Sequence, residues 1–220
     1  MTETDPKKLF AFLITWTGFS INMTTQVENW IQRAGKRSME LNHSEVGERL
    51  LHHANQEADH DKMLVTDLKF LLTKWNQSYS QNVRYEDIVS LSDTQETENY
   101  VALHERVINS NYPYAQTAIE LEIERISVVY GPRFVENIIN VLGSDIEPGI
   151  TFLEEHVLLD QGHTKFNIDL LERCLANEGS MQHLVEAGSS ALESYSNFLT
   201  MCMSAKDSIL GNQWTNQLTV

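Results

Sequence analysis

The sequence predicts an all-α fold of seven to nine helices in one domain, and three observations predict it. Apolar residues recur at helical spacing along nearly the whole chain, and no stretch alternates cleanly enough to make a strand. Only 4 prolines and 10 glycines occur in 220 residues, too few for a sandwich built on tight turns. A hydrophobic content of 41% is enough for a sizeable core.

Helices are expected at about Pro6–Thr17 and Ser20–Arg37, followed by a long one from Ser44 to about Trp75. Asn76–Arg84 reads as a polar connection, ahead of a short helix near Tyr85–Leu91 and another at about Thr94–Ile108. The next runs from about Tyr114 to Tyr130, where Gly131–Pro132 is expected to break it and Pro132 to start another reaching Leu142. Gly143–Ser144–Asp145 reads as a turn. Pro148 sits where a first-turn proline belongs, opening a helix to about Leu175. A last helix spans about Met181–Met203, and the tail after Gly211 reads as loose. No internal repeat appears, so residues 1–220 read as a single helical domain.

Composition excludes several function classes. A net charge of −15 argues against nucleic acid and against an anionic membrane, both of which need a basic footprint. No apolar run is long enough to span a bilayer. Leu9–Phe19 is apolar, but no small-residue cleavage site follows, so it reads as a core helix and the expected address is cytoplasmic. Cys174 and Cys202 match no metal or redox spacing and read as free thiols.

The chemistry is concentrated on the helix containing His156, Asp160 and His163. At i, i+4 and i+7 these side chains fall within roughly 40° of one line. Phe152, Leu153, Leu159, Leu170 and Leu171 lie on the same side. Titratable groups on an apolar face are costly unless compensated, and a metal ion compensates this set well. A second cluster lies on the long helix, where Glu57 and His60 share a face with Val46, Leu50, Leu64, Leu68 and Leu71. His53 is on that face one turn earlier, while His52 and Asp59 point elsewhere. Glu-x-x-His is the spacing used by helical dimetal carboxylate proteins.

A third carboxylate is expected from Glu120, Glu122 or Glu124. Glu122 is preferred because it falls within the apolar face of Ala115, Ala118, Ile119, Ile126 and Val129; Glu120 and Glu124 remain alternatives. The expected set is therefore Glu57, His60, Glu122, His156, Asp160 and His163. Three carboxylates largely balance two divalent cations, and mixed nitrogen and oxygen donors suit two iron ions, with manganese as the substitute. One zinc needs only four ligands, and calcium sites do not use imidazole.

From about Glu45 to Leu171 these patterns resemble the haem-oxygenase-like diiron oxidases, in particular the CADD-like branch of the TenA/PqqC superfamily. Glu57-x-x-His60 with Asp67–Leu68 downstream, the middle-helix glutamate before Tyr130, and His156-x-x-x-Asp160-x-x-His163 carry the resemblance. Some members supply the first carboxylate seven residues before the histidine; here that position is His53. The resemblance implies an up-and-down bundle of about seven helices, commonly a homodimer. It also implies two Fe2+ ions, O2 as co-substrate, and oxidation of a small organic acid, an amino acid or a fatty acid, through a peroxo-diferric intermediate. Fold and ligands imply the oxidant and leave the substrate open. One branch is named for binding death domains, which leaves a non-enzymatic interaction module with a vestigial metal site as the alternative. A haem oxygenase would need an axial histidine on its first helix, and none precedes His43. Neither cysteine lies beside the acidic constellation that a thiaminase-type hydrolase would require.

Other residues read as structural. His104, in a mixed-charge helix, is expected to face solvent, and His43 and His183 to act locally. Trp16, Trp30 and Trp75 read as core or interface anchors, and Tyr112, Tyr114 and Tyr130 as packing residues around the middle helix. Gly162, between two candidate ligands, costs about 1 kcal/mol relative to alanine in a helix, which suggests that it leaves room for oxygen or substrate, or lets this helix loosen when metal leaves.

Overall fold

The computed structural model describes residues 3–211; the tail expected to be loose beyond Gly211 lies outside them. Nine α-helices and no strand occur among the described residues. They are α1 (Pro6–Thr24), α2 (Val27–Glu40), α3 (Ser44–Gln56), α4 (His60–Tyr79), α5 (Tyr85–Val89), α6 (Gln95–Ile108), α7 (Gln116–Leu142), α8 (Thr151–Leu175) and α9 (Ser180–Leu210). Short 3-10 turns at Pro113–Ala115 and Ser144–Gly149 lead into α7 and α8.

Helix α1 is the axis of the bundle. Asp5 caps it, accepting from the amides of Lys7 and Lys8, and Pro6 takes the first turn, where its missing N–H costs nothing. From Leu9 to Ile21 every residue of the helix is buried, because α4, α5, α6, α7 and α9 all pack against it. The break expected near Gly18 is absent. A Cβ at Gly18 would come within 2.2 Å of Ile88 Cγ2, so this glycine serves the close approach of α5 and not a turn. The chain bends later, at Thr25–Gln26.

Helices α2 and α3 form a tight hairpin. Gly35 and Gly47 face each other there, and a Cβ on Gly47 would lie 2.6 Å from the Gly35 carbonyl oxygen. The long helix expected over Ser44–Trp75 is two helices. It breaks at Glu57–Asp59, where Asp59 adopts the left-handed conformation with φ 69°. Aspartate tolerates that region better than most residues.

Helix α7 is the reverse case: it runs unbroken through Gly131–Pro132. Pro132 is exposed, so water can satisfy the carbonyl left without its helical partner. Gly131 is buried where α7 crosses α8, 2.5 Å from Val157 Cγ2 for a notional Cβ. The start of α8 is anchored to α4: Asp67 accepts from Thr151 Oγ1 at 2.7 Å and from the Phe152 amide at 2.9 Å. Burial raises the Asp67 pKa, and these donors oppose that rise.

Trp16, Trp30 and Trp75 are core residues, as expected. Cys174 and Cys202 are free and buried. His104 is not solvent-facing. It is fully buried, stacked on Trp30 at 4.0 Å between ring centroids, and it accepts from Gln116 Nε2 at 2.7 Å. No helix among the described residues is long and apolar enough to cross a membrane.

Candidate metal centre

Helices α3, α4, α7 and α8 converge on one polar cluster inside the bundle. The buried face of α8 reads His156, Asp160, His163, Asn167, Leu170, Cys174, so its first half is wholly polar. The break between α3 and α4 turns Glu57 and His60 toward that face, with His53 one turn before Glu57. His60 Nδ1 lies 2.9 Å from Glu57 Oε2 and 3.2 Å from His156 Nε2. His163 Nδ1 lies 3.2 Å from Glu57 Oε1 and 3.4 Å from Asp160 Oδ1.

The structure does not bring Glu122 to the cluster; it brings Glu124 and Glu120. The Glu122 side chain is 26% exposed, reaches Arg125 at 3.5 Å and lies on α9 beside Gly188. Glu124 and Glu120 are 7% and 6% exposed. Glu124 Oε1 sits 3.1 Å from His53 Nε2 and 3.8 Å from His163 Nδ1. The reason is that α7 is covered on two sides. Its apolar stripe, with Ala118, packs on α9, while Gln116, Glu120 and Glu124 follow one another at i+4 down the opposite, inward face.

Two more residues belong to the site beyond the expected six. His53 is fully buried and neither ring nitrogen has a hydrogen-bond partner. Asn167, also fully buried, donates from Nδ2 to Glu124 Oε2 at 2.7 Å. Asn167 continues the spacing of His163 by one turn, which is the sequence signal for it. His53 shares the face of Glu57, which is the signal for that one.

The donor atoms fall into three groups, each within 4.8 Å: Glu57 with His60 and His156, His53 with Glu57 and Glu124, and Glu124 with Asp160 and His163. Glu57 and Glu124 are thus shared between neighbouring groups. Four carboxylates and four imidazoles crowd together here, counting Glu120. Both ring nitrogens of His53, Glu124 Oε1, Asp160 Oδ1 and His163 Nδ1 are buried without a partner. Buried polar atoms are nearly always satisfied, so the orphans that face one another here, His53 Nε2, Glu124 Oε1, Asp160 Oδ1 and His163 Nδ1, fit cations between them.

The electrostatics agree. Burial lifts Glu120 to about 8, with Glu124 and Glu57 adding to the rise, and burial likewise carries Glu124 well above the carboxylate range, helped by Asp160. Burial lowers His53 and His156. Burial opposes charge on Glu57 and His60 too, but their mutual hydrogen bond and the neighbouring opposite charges together outweigh it, leaving Glu57 low and His60 high. His163 is raised by the Asp160 carboxylate beside it, with Glu57 and Glu124 adding to the rise. His156 Nδ1 donates to the Phe152 carbonyl at 2.7 Å, which fixes the ring and leaves the Nε2 lone pair facing the cluster.

A cavity of about 790 Å³ opens onto this cluster. Glu57, Glu120, Glu124, His156 and Asp160 form its inner wall, and Trp16, Ile123, Ile126, Phe134 and Phe152 make most of the rest apolar. Gly162 contributes no space to it. It is exposed on the far side of α8, and a Cβ there would meet nothing within 4 Å.

Comparison with solved structures finds the same architecture. A domain of unknown function from Shewanella denitrificans, described as having a haem-oxygenase-like fold, superposes with a TM-score of 0.71. The match covers 93% of this chain and 81% of that one at 15% identity. The chain has the haem-oxygenase-like fold. No protein-family model and no curated protein matches its sequence.

Proposed function

We propose that this protein is an O2-activating non-haem diiron oxidase or oxygenase of a small organic acid, in the CADD-like branch of the haem-oxygenase-like proteins. The observation that carries the reading is the set of five buried, unpartnered atoms on His53, Glu124, Asp160 and His163, of which Glu124 and Asp160 also line a largely apolar cavity. Glu57, His60 and His156 would hold one ion, and Glu124, Asp160 and His163 the other, with Glu57 and His53 at their junction. Imidazole and carboxylate donors in these numbers suit iron, and manganese as its substitute. Bound there, the iron pair supplies the electrons that activate O2.

The chain's own residues prepare that chemistry. The Phe152 carbonyl and Asn167 lock His156 and Glu124, so the donors are oriented before any ion arrives. Asp67 fixes the first turn of α8 and with it the height of His156 on the cavity wall. Ile123, Ile126, Phe134 and Phe152 exclude water around a substrate beside the cluster.

Anaerobic titration with Fe(II) tests the reading directly. Two equivalents should bind, and mixing with O2 should give a transient visible absorbance whose decay is accelerated by substrate. Failure of the wild-type protein to bind iron, or identical iron binding by a folded His156→Ala variant, would sink it.

A further inference from the structure

A chain of buried side chains on α2, α6 and α7 connects the cavity with the surface and has no part in holding the ions. Tyr100 lines the cavity together with Glu120. Its ring stands edge-on to His104 and Trp30, with centroids 4.6 and 6.0 Å away. Trp30 and His104 are stacked at 4.0 Å, their planes 9° apart. None of the three is more than 4% exposed. Beyond Trp30 the chain ends on Glu105, whose carboxyl is held low by Arg33 first and by the Trp30 indole as well. Arg33 grips Glu105 with two bonds, at 2.6 and 2.7 Å, and both side chains are 38% exposed.

Packing alone does not call for this composition. A buried imidazole and a buried amide are costly, and here His104 Nε2 and Gln116 Oε1 are left without a partner. Both hydrogens of the Gln116 amide are spent, one on His104 Nδ1 at 2.7 Å and one on Glu120 Oε1 at 2.5 Å. Gln116 therefore fixes the chain in place and hands no proton along it. Tyrosine and tryptophan, by contrast, are the aromatic side chains that give up an electron readily. Two of them in edge contact, between a cavity that holds an oxidant and a surface carboxylate, form a path for electrons.

We propose that Tyr100 and Trp30 are an exit for oxidising equivalents, used when the metal centre is oxidised by O2 with no substrate in the cavity. The proposal rests on the diiron reading. Tyr100 gives one electron to the oxidised centre and its phenolic proton to cavity water. Trp30 then returns an electron to Tyr100, the phenol regains a proton from that water, and the Trp30 indole proton passes to Glu105. A thiolate from solution, arriving at the Arg33–Glu105 pair, supplies the last electron and ends, with a second thiolate, as a disulfide. Glu105 returns the proton to the indole. Trp16, which also lines the cavity, is thereby spared oxidation.

Freeze-quench electron paramagnetic resonance of the iron-loaded chain, mixed with O2 in the absence of substrate, tests this. An organic radical should appear, its spectrum narrowed by deuterated tyrosine early and by deuterated tryptophan later. Tyr100→Phe should remove most of the signal, whereas Trp30→Phe should keep the tyrosyl component and prolong it. Dithiothreitol should shorten the radical's life in wild type and not in Trp30→Phe. Peptide mass spectrometry should find more oxygenated Trp16 in both variants than in wild type. Absence of a radical in the iron-loaded wild type, a spectrum indifferent to deuterated tyrosine, or equal decay in wild type and Trp30→Phe would each overturn the proposal. The isotope labels need no substitution, so they decide even where a variant fails to fold. Iron uptake without a radical removes this exit and leaves the diiron reading standing; a chain that takes up no iron removes both.

Discussion

Asn167 Nδ2 donates to Glu124 Oε2 at 2.7 Å, and this bond ties α8 to α7 at the centre of the cluster. Glu124 has one oxygen held and the other, Oε1, unpartnered and aimed at His53 and His163. The asymmetry leaves one oxygen committed to position and the other available to a cation.

Asn167→Ala should therefore weaken metal binding without abolishing it. Loss of a residue that orients a ligand typically costs about 10- to 100-fold in affinity. Competition titration with Mn(II) would measure this, and an unchanged constant would show that Glu124 is held by its helix alone.

Glu124 and Glu122 make opposite predictions although they are two residues apart. Glu124→Gln keeps the side chain's shape and an oxygen for Asn167 but loses the anionic donor, so iron stoichiometry should fall from two toward one. The metal-free variant should be more stable than wild type by about 1–3 kcal/mol, since a buried, incompletely satisfied carboxylate has been removed. Glu122→Gln should change neither quantity, as its side chain faces α9 and Arg125. Metal analysis with thermal melts in chelator would read both effects.

These two glutamates also show how much of the site was legible. On α8 the rule of seeking titratable groups on an apolar stripe found His156, Asp160 and His163, because that helix has one buried face. On α7 the same rule selected Glu122, because α7 is buried on two sides and its inward face is itself polar. The signal for the inward face was the i+4 series Gln116, Glu120, Glu124, which an apolar criterion rejects by construction. The all-α class and most helices followed from periodicity, since packed helices keep their stripes. The two misplaced breaks did not. Gly18 and Gly131 serve close helix contacts rather than turns, and Asp59 ends α3–α4 continuity through a left-handed conformation that no local pattern announces. His104 was misjudged because its neighbours Glu105 and Arg106 are polar, while its own side chain lies between Trp30 and Tyr100.

Gly162→Ala separates a packing role from a functional one. The position is exposed, mid-helix, and open to a Cβ. Alanine should raise stability by about 1 kcal/mol through helix propensity alone. Iron affinity should be unchanged, because the substitution points away from the cluster. A loss of iron affinity in this variant would show that α8 must loosen to load its metal.

His104 should make the metal-free protein sensitive to acid. Burial lowers its pKa from 6.5 to about 3. In the unfolded chain the imidazole takes up a proton below about pH 6.5, whereas the folded chain refuses it until about pH 3. The unfolded state therefore binds more protons throughout that window. The stability associated with neutral His104 is complete above pH 6.5 and is lost as the pH falls toward 3. The loss approaches about 1.4 kcal/mol per pH unit in the middle of the window. His104→Phe keeps the stacking on Trp30 but forfeits the Gln116 bond, at a cost of about 1 kcal/mol near neutrality. The variant should thus melt below wild type at pH 7.5, and the difference should shrink and then reverse as the pH is lowered to 4.5. Parallel melting curves for the two proteins across that range check this: the crossover shows that His104 stays neutral in the fold, and a difference that does not change with pH would show that the folded chain takes up the proton as readily as the unfolded one.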